Sequence, residues 1–376
     1  MRYGGTIVSV HGLCKALAAR GHDVHVFTTS VDGPRDSAVP HGEPVHVDGV
    51  SVWYFRSRVL RRLYWSPALG EALSARASGF DLVHTHAVFL WPLWAAAAAA
   101  RRAHVPYVMS PRGMLELGLV KAKNPLLKRL WIATIEKKSL ERAAAIHVTS
   151  RRESEELAKF GFVLPPVHEV PNGVDLPAAV APEAASPALA AIVRRGPFLL
   201  FLGRLNWKKG LDRLIAALPH APGVHVVLAG DDEDGYQRVL AAQAAGLGVT
   251  DRITFAGGVF GADKAALIAA ADAVVLPSYS ENFGNVVLEA MAAGRAVVVT
   301  PEVGLANVVR RSGAGLVTDG APHSLAAALV KMTNDATLRG DMGERGRRAA
   351  AEFAWPAIAG HMDALYQSVL EKRARP

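Results

Sequence analysis

Two glutamates lie eight residues apart in the segment Glu281-Asn-Phe-Gly-Asn-Val-Val-Leu-Glu289, which follows a short apolar stretch and the turn Pro277-Ser278. Residues 284–293 are apolar at helical spacing, which predicts a helix. Glu281 is therefore expected in a strand-to-helix loop, and Glu289 about one turn inside the helix. Carboxylates in these places suit the hydroxyl groups of a sugar and a ribose. The alternative is a capping glutamate followed by an exposed helical one.

The start of that helix is a second chemical feature. The first backbone N–H groups of a helix have no partner within it, and with the helix dipole they favour a phosphate. Phe283, Gly284 and Asn285 would supply these groups. A glycine there also lets a ligand approach the backbone closely.

A basic segment, Gly203-Arg-Leu-Asn-Trp-Lys-Lys-Gly210, directly follows an apolar strand predicted at 198–202. This order places cations at the carboxyl end of a sheet, where arginine binds two phosphate oxygens at once and lysine adds a point charge. The spacing is neither that of a P-loop nor that of the dinucleotide fingerprint. The alternative is an ordinary basic loop.

Histidine and arginine side chains follow two further predicted strands. His84 and His86 close the segment Asp81-Leu-Val-His-Thr-His, but no third metal ligand lies at a compatible spacing, so no metal is expected. We expect His86 to bond a substrate hydroxyl and His84 to be structural. Arg112, in Ser110-Pro-Arg-Gly-Met114, either binds an anionic part of a substrate or pairs with an acidic neighbour.

The elements that must position these residues alternate between strand and helix, which indicates mostly parallel α/β sheets. Predicted strands occupy 23–28, 51–55, 82–84, 107–110 and 145–149 in the first half, and 198–202, 224–229, 253–256, 273–276, 296–299 and 315–317 in the second. Predicted helices include 7–19, 95–103, 125–144, 210–218, 262–270 and 285–293.

A turn signal in Pro171-Asn-Gly-Val-Asp175 separates the two halves, and the Ala/Pro-rich stretch 176–197 is interpreted as a linker. We therefore predict domains at 1–175 and 176–354. Each is a Rossmann-like, doubly wound α/β unit, and the two face each other across a cleft at the carboxyl ends of their sheets, where ligands bind.

Composition narrows the class of protein. The chain has 376 residues, 51% hydrophobic and 20% charged, which is typical of a globular protein of about two domains. Its one cysteine, Cys14, excludes a disulfide framework within the chain and favours a reducing cytosol.

The net charge of +8 lies almost wholly before residue 176, where 22 basic residues face 15 acidic ones. Basic and apolar residues alternate at 56–65 and recur at 121–129, a pattern that suits an anionic membrane surface or acceptor. The alternative is a solvated helix face. No nucleic-acid motif accompanies the charge, so no nucleic-acid partner is expected.

The N-terminus is unusual for such a sheet. Gly4-Gly5 looks like the glycine turn that follows a first strand and opens a helix, yet only three residues precede it. We therefore expect the first N-terminal strand to be missing, with the natural start upstream. The alternative is a domain that tolerates a reduced sheet.

With these motifs the chain resembles the family 4 retaining glycosyltransferases of GT-B fold. The resemblance runs from Gly4-Gly5 and Arg20-Gly-His-Asp-Val24 through D-x-x-H-x-H and the 171–175 segment. It continues through G-R-L-x-x-x-K-G and E-x7-E to Phe353-Ala-Trp355. The loop at 110–114 resembles a subgroup that builds bacterial surface polysaccharides.

The resemblance implies a UDP- or GDP-sugar donor held mainly by the second domain. It implies that Arg204 and Lys209 bind the diphosphate, that Glu281 binds sugar hydroxyls, and that His86 lies at the donor sugar. The further expected donor-binding residues are Gly5, Arg112, Val259, Asn282, Phe283, Gly284, Asn285 and Glu289.

The same resemblance implies how the reaction proceeds. A glycan or lipid-linked acceptor enters through the first domain, and the terminal helix at 355–376 crosses back to it. Negative charge grows on the leaving diphosphate, where fixed cations and helix N–H groups stabilise it without a metal or cofactor. Retention of configuration is expected, in a cytoplasmic, peripherally membrane-bound hexosyltransferase.

Two rival functions stay open. One is another sugar-nucleotide enzyme of similar fold, such as a UDP-sugar 2-epimerase, which needs no acceptor. The other is a catalytically silent nucleotide-sugar-binding protein. A dinucleotide oxidoreductase is disfavoured because the glycine fingerprint is missing.

Overall fold

A computed structural model describes residues 5–122, 125–176 and 186–374. The chain divides into two compact units, one of Met1–Gly173 with Trp355–Pro376 and one of Val174–Ala354. Val174 begins the second unit, rather than residue 176, because its N–H donates to the Phe353 carbonyl at 2.9 Å and its side chain lies in that unit's core.

The helices of the first unit are α1 (Gly5–Ala19), α2 (Pro67–Arg76), α3 (Trp91–Arg102), α4 (Leu117–Ala122), α5 (Pro125–Trp131), α6 (Lys137–Glu141), α7 (Arg151–Ala158) and the terminal helix, numbered α16 (Trp355–Ala374). Those of the second are α8 (Pro187–Val193), α9 (Leu211–Ala217), α10 (Tyr236–Gly246), α11 (Gly261–Ala270), α12 (Asn285–Ala292), α13 (Ala306–Ser312), α14 (Pro322–Asn334) and α15 (Ala336–Ala351). Among the described residues, no helix is both long and apolar enough to cross a membrane.

The second unit contains one six-stranded parallel sheet in the order β12-β11-β10-β13-β14-β15. Its strands are β10 (Leu199–Leu202), β11 (Val226–Ala229), β12 (Ile253–Gly257), β13 (Ala273–Leu276), β14 (Ala296–Val299) and β15 (Gly315–Val317). The central strands are unbroken apolar runs because helices cover both faces of a parallel sheet. Neighbouring β10 and β13 end at the same edge, so the loops after them lie together.

The first unit contains a parallel sheet β6-β7-β8-β9, a sheet β1-β5-β4 and a small hairpin β2-β3. Their bounds are β1 (His25–Thr29), β2 (Val31–Asp32), β3 (Arg35–Asp36), β4 (Pro44–Val47), β5 (Val50–Phe55), β6 (Val83–His86), β7 (Tyr107–Ser110), β8 (Ala145–Val148) and β9 (Val167–Glu169).

No strand among the described residues joins β1 to β6. The expectation of a lost first strand concerns residues 1–4, Gly4 included, which lie outside the described part of the chain. The described backbone opens in α1 at Gly5.

Helices at the two ends of the chain share a core cluster in the first unit. Leu13 and Leu17 of α1 pack with Ile358 and Met362 of α16 around Val108 of β7. The terminal helix therefore belongs to the first unit, and its side chains reach the residues that follow the strands there.

Each predicted strand is present to within two residues. Of the linker expected at 176–197, residues 177–185 lie outside the described part of the chain, and the second half of the prediction is wrong because Pro187–Val193 form α8. Pro187 occupies the first turn of that helix, where its missing N–H costs nothing, and Leu189 is buried in the second core. The helix expected at 125–144 is interrupted by a π-helical turn at Ile132–Glu136.

Candidate active site

The loops after β10 and β13 approach each other backbone to backbone. Gly210 has φ +64°, and a Cβ there would lie 2.0 Å from the Pro277 carbonyl oxygen, so only glycine fits. The Tyr279 N–H donates to the Lys208 carbonyl at 2.7 Å. These contacts bring the basic segment and the glutamate loop together, although about 70 residues separate them in sequence.

Lys209 and Glu281 form an ion pair where the two loops meet. The lysine side chain is 22% exposed and that of the glutamate 18%, so both charges are largely removed from water. A ligand that carries a phosphate and a hydroxyl can replace this contact at the carboxyl end of the sheet. The ammonium then binds the phosphate, and the carboxylate accepts a hydrogen bond from the hydroxyl.

Arg204 lies on the same loop as Lys209 and is more exposed. Its guanidinium is 3.3 Å from the Glu233 carboxylate, which also accepts a hydrogen bond from the Asn206 side chain at 2.8 Å. Glu233 follows β11, the neighbour of β10 on the other side. The arginine is thus held at the sheet edge by an acidic residue that the sequence analysis did not select.

Hydrogen bonds hold the predicted phosphate loop to the loop after β14. The Glu281 N–H donates to the Glu302 carbonyl at 3.1 Å, and the Gly304 N–H donates to the Glu281 carbonyl at 2.9 Å. Gly284, with φ +96°, directly precedes α12, and the Phe283 side chain is buried. Asn282 and Asn285 flank these two residues, so the four predicted donor-binding residues run consecutively from the end of the strand-to-helix loop to the first residue of α12.

Glu289 lies on α12 and is paired with Lys264 of α11, at 2.6 Å and 2.7 Å from its two oxygens. Val259, expected near the nucleotide base, packs against the second core, while the next residue, Phe260, is 57% exposed. An ion pair and an exposed aromatic ring therefore lie around the region expected to hold the nucleoside.

In the first unit, His84, His147 and Tyr366 form a chain of hydrogen bonds. His147 Nε2 lies 2.8 Å from the Val170 carbonyl, which can only accept, so His147 Nδ1 is an acceptor. His84 Nε2, 3.3 Å away, then donates to it, and His84 Nδ1 accepts from the Tyr366 hydroxyl at 2.8 Å. His84 thus has a structural partner at each ring nitrogen.

Arg112 and His86 form a second set of contacts beside that chain. The Arg112 side chain points inward, with Nη2 3.0 Å from His86 Nδ1 and Nη1 2.8 Å from the Asn172 amide oxygen. Burial, then the His84 and Arg112 neighbours, hold the pKa of His86 well below its ordinary value. Burial likewise lowers the pKa of Arg112 to about 10. The carboxylate of Glu153 has the opposite, smaller effect on that pKa, because it favours the charged guanidinium.

Buried glutamates hold the two loops that carry these residues. Glu153 of α7 accepts from the Gly113 N–H at 2.6 Å, and Glu136 accepts from the Phe89 N–H at 2.7 Å. Arg112 and Ala87, the residue after His86, both have positive φ, at 57° and 91°. Such strained backbone persists only where surrounding contacts over-determine it.

The three histidines do not fit a cation, although their ligand atoms lie within 4.8 Å of one another. The hydrogen bonds described above already use both ring nitrogens of His84 and His147, and Arg112 donates to His86. The guanidinium also adds a positive charge beside the cluster, which disfavours a second cation.

Comparisons with known proteins place the whole chain in one family. Residues 3–177 match the family model Glycosyltransferase Family 4, and residues 188–349 match the model for glycosyl transferases group 1. The D-inositol 3-phosphate glycosyltransferase of Xylanimonas cellulosilytica is 30% identical, across 98% of this chain and 93% of that protein. The chain belongs to glycosyltransferase family 4.

Other relatives and solved structures agree with this placement. The phosphatidyl-myo-inositol mannosyltransferase of Mycobacterium leprae is 29% identical, over 97% of this chain and 93% of that protein. The sucrose-phosphate synthase of Thermosynechococcus elongatus superposes with a TM-score of 0.78, at 25% identity, over 98% of this chain and 94% of that one. Anabaena HepE, solved with UDP and glucose, superposes with a TM-score of 0.74 at 21% identity, over 97% of this chain and 96% of that one.

The predicted GT-B fold is confirmed by these likenesses, and as a family 4 glycosyltransferase the protein uses a nucleotide-sugar donor. Four residues that contact predicted site residues within their own units were not predicted from the sequence: Glu233, Lys264, His147 and Tyr366. Glu233 had a signal, because it follows a predicted strand as Arg204 does. Lys264 had none beyond its place in a helix.

Proposed function

We propose that the protein is a retaining hexosyltransferase whose second unit binds a UDP- or GDP-sugar. The observation that carries this proposal is the ion pair of Lys209 and Glu281 beside Arg204, at the carboxyl ends of β10 and β13. In the proposed complex, the diphosphate takes Lys209 and Arg204 as partners, and the freed Glu281 carboxylate accepts from sugar hydroxyls.

The rest of the donor takes the flanking residues. Amides of residues 282–285 bind phosphate and sugar, Glu289 binds the ribose, and Val259 lies at the base. In the first unit, His86 donates to a sugar hydroxyl, and Gly5, at the first turn of α1, approaches the diphosphate. These roles come from the family resemblance, and the positions of the second-unit residues in one continuous sheet edge support them.

Transfer then needs charge stabilisation rather than a metal. As the bond from the sugar to the diphosphate breaks, negative charge grows on the leaving oxygen, next to Lys209, Arg204 and the start of α12. Preorganised cations and dipoles stabilise that charge more than the ground state. The leaving phosphate accepts the acceptor's proton, because the acceptor attacks from the face the phosphate leaves.

The test is transfer activity of three alanine variants, Glu281→Ala, Arg204→Ala and Lys209→Ala. Each is expected to lose most sugar transfer while circular dichroism shows an intact fold. Lys331→Ala, on α14 of the same unit, is the matched control and is expected to keep wild-type turnover. Near-normal turnover in all three variants would overturn the site assignment.

For the acceptor, we propose a glycan or lipid-linked saccharide of bacterial polysaccharide biosynthesis, on the resemblance of the 110–114 loop. The relatives named for D-inositol 3-phosphate and phosphatidyl-myo-inositol favour a second candidate, an inositol phosphate. Radiolabelled transfer to an oligosaccharide-lipid and to inositol 3-phosphate, measured side by side, distinguishes the two acceptors.

We also propose that the enzyme is cytoplasmic and binds an anionic membrane surface through α5. Leu126 and Leu130 on that helix are 79% and 62% exposed, with the exposed Arg129 between them. Co-sedimentation with phosphatidylglycerol vesicles is expected to fall in Leu126→Gln/Leu130→Gln and to persist in Leu247→Gln, an exposed leucine of the second unit. Equal sedimentation of all three proteins would contradict this proposal.

A further inference from the structure

Arg112 makes contacts that no substrate role requires. Arg112 is 9% exposed, and both its Nε and its Nη2 face His86 Nδ1, at 3.3 Å and 3.0 Å. A guanidinium only donates hydrogen bonds, so His86 Nδ1 must accept and carries no proton. In a neutral imidazole the proton then lies on Nε2.

We propose that Arg112 is a positioning residue that fixes His86 as the neutral tautomer with its Nε2–H free to donate to a substrate hydroxyl. The proposal rests on the proposed function, in which His86 contacts the donor sugar. It assigns Arg112 to His86 and Asn172 rather than to an anionic part of the substrate.

The loop that carries Arg112 is built to hold this geometry. Arg112 has φ +57°, a left-handed conformation that strains a residue with a side chain and needs support from its surroundings. Glu153, 3% exposed, supplies that support, because one oxygen accepts from Gly113 N–H and the other from Thr149. Asn172 anchors the far side of the guanidinium at 2.8 Å.

The neighbouring histidines do not set the His86 tautomer. The rings of His84 and His86 lie 4.1 Å apart, but the hydrogen bonds of His84 run to Tyr366 and His147 instead. Among the described residues, no protein group bonds His86 Nε2. Within the part of the chain that the structure describes, Arg112 is therefore the one hydrogen-bond partner of the His86 ring.

The charged and titratable groups that face His86 are His84 on its own strand, Arg112 after β7 and His147 on β8. Tyr366 of α16 and Cys14 of α1 face Arg112 in turn. Because the guanidinium is a cation, its removal favours a protonated His86, and the pKa of that imidazole rises. Burial, which is the larger cause of the lowered His86 pKa, is unchanged when the guanidinium is removed.

The first readout is the tautomer itself, without any substrate. In protein labelled with ¹⁵N at histidine side chains, the His86 ring is assigned by comparison with His86→Gln. We expect Nε2 protonated and Nδ1 unprotonated in the wild type from pH 6 to 8, and a mixture of tautomers in Arg112→Met. Arg152→Met, an arginine of the same unit paired with Glu116, is the control and is expected to keep the wild-type tautomer.

The second readout is transfer activity. Misplaced catalytic groups cost about a hundredfold, so Arg112→Met is expected to lower kcat by roughly tenfold to a hundredfold. In a His86→Ala background the same change is expected to add less than about twofold, because Arg112 acts through His86. Should Arg112→Met fail to fold, Arg112→Lys is the second variant, because it keeps the buried charge but loses the planar fork. We then expect a smaller fraction of His86 in the Nε2–H tautomer and a partial loss of kcat.

A wild-type His86 protonated on Nδ1 would overturn the proposal, as would an unchanged tautomer in the foldable Arg112 variant. Losses that add fully in the His86→Ala background would do the same. A wild type that transfers no sugar, yet keeps the Nε2–H tautomer, would refute the proposed function and leave the tautomer assignment intact.

Discussion

Replacing Lys209 by methionine tests whether the partly buried ion pair of Lys209 and Glu281 is the phosphate-binding element. The change keeps the length and most of the volume of the side chain but removes its charge. Two unit charges about 4 Å apart interact by about 4 kcal/mol at an effective dielectric constant of about 20, which suits a site whose partners are 22% and 18% exposed. Removing one fixed donor from a comparable transition-state site costs about 2.7–4 kcal/mol, or roughly 10²–10³ in kcat.

The assay is release of nucleoside diphosphate under saturating donor, with Lys208→Met as the matched control. Lys208 lies in the same short turn, and the main-chain contact it makes, from its carbonyl to the Tyr279 N–H, survives the substitution. We expect Lys209→Met to lose roughly 10²–10³ in kcat and Lys208→Met to lose less than about threefold. Equal losses in the two variants, or a Lys209→Met loss confined to KM, would show that Lys209 does not stabilise the leaving diphosphate.

Three further outcomes are expected. Gly210→Ala is expected to lower the free energy of unfolding by more than the roughly 1–3 kcal/mol that left-handed strain costs, because the new Cβ also meets a carbonyl oxygen. The urea midpoint measures this loss, and a small change in the midpoint would contradict it. The pKa of His147 falls from 6.5 to about 3 on folding through burial, so this residue's contribution to stability falls as pH drops below about 6.5, by at most about 1.4 kcal/mol per pH unit. Urea titrations at pH 7 and 5 measure the combined slope, to which His84 and His86 also contribute, and His147→Gln should make that slope shallower. In calorimetry, Glu289→Gln is expected to weaken the binding of a nucleoside diphosphate more than the binding of pyrophosphate. Lys264→Met is expected to weaken nucleoside diphosphate binding less than Glu289→Gln does, because only the carboxylate is proposed to touch the ribose.

Much of the second unit could be predicted from the sequence because its elements are locally determined. The run Ala273–Leu276 is apolar throughout, as a strand covered on both faces must be, and Gly284 marks the start of α12. The carboxyl-end rule then placed Arg204 and Glu281 at one edge of a sheet. The low exposure of Glu281 and its pairing with Lys209 come from tertiary contacts that no local pattern records.

The first unit shows where sequence reasoning stops. Tyr366 reaches His84 across 282 positions, a contact that follows from the packing of α16 beside α1 and not from any spacing in the sequence. The orientation of Arg112 depends on a left-handed backbone that its sequence favours only through the following glycine. Contacts this distant in sequence become visible only once the sheet and its covering helices are assembled.

The most direct test of the central claim is thermal melting of the wild type and Lys209→Met with UDP, GDP and the matching nucleosides. A ligand that binds only the folded state raises the melting temperature, by the equivalent of about 2.7 kcal/mol at a hundred times its Kd. We expect a shift with one nucleoside diphosphate, little shift with its nucleoside, and loss of the shift in Lys209→Met. Equal shifts for diphosphate and nucleoside, unchanged by the substitution, would contradict it.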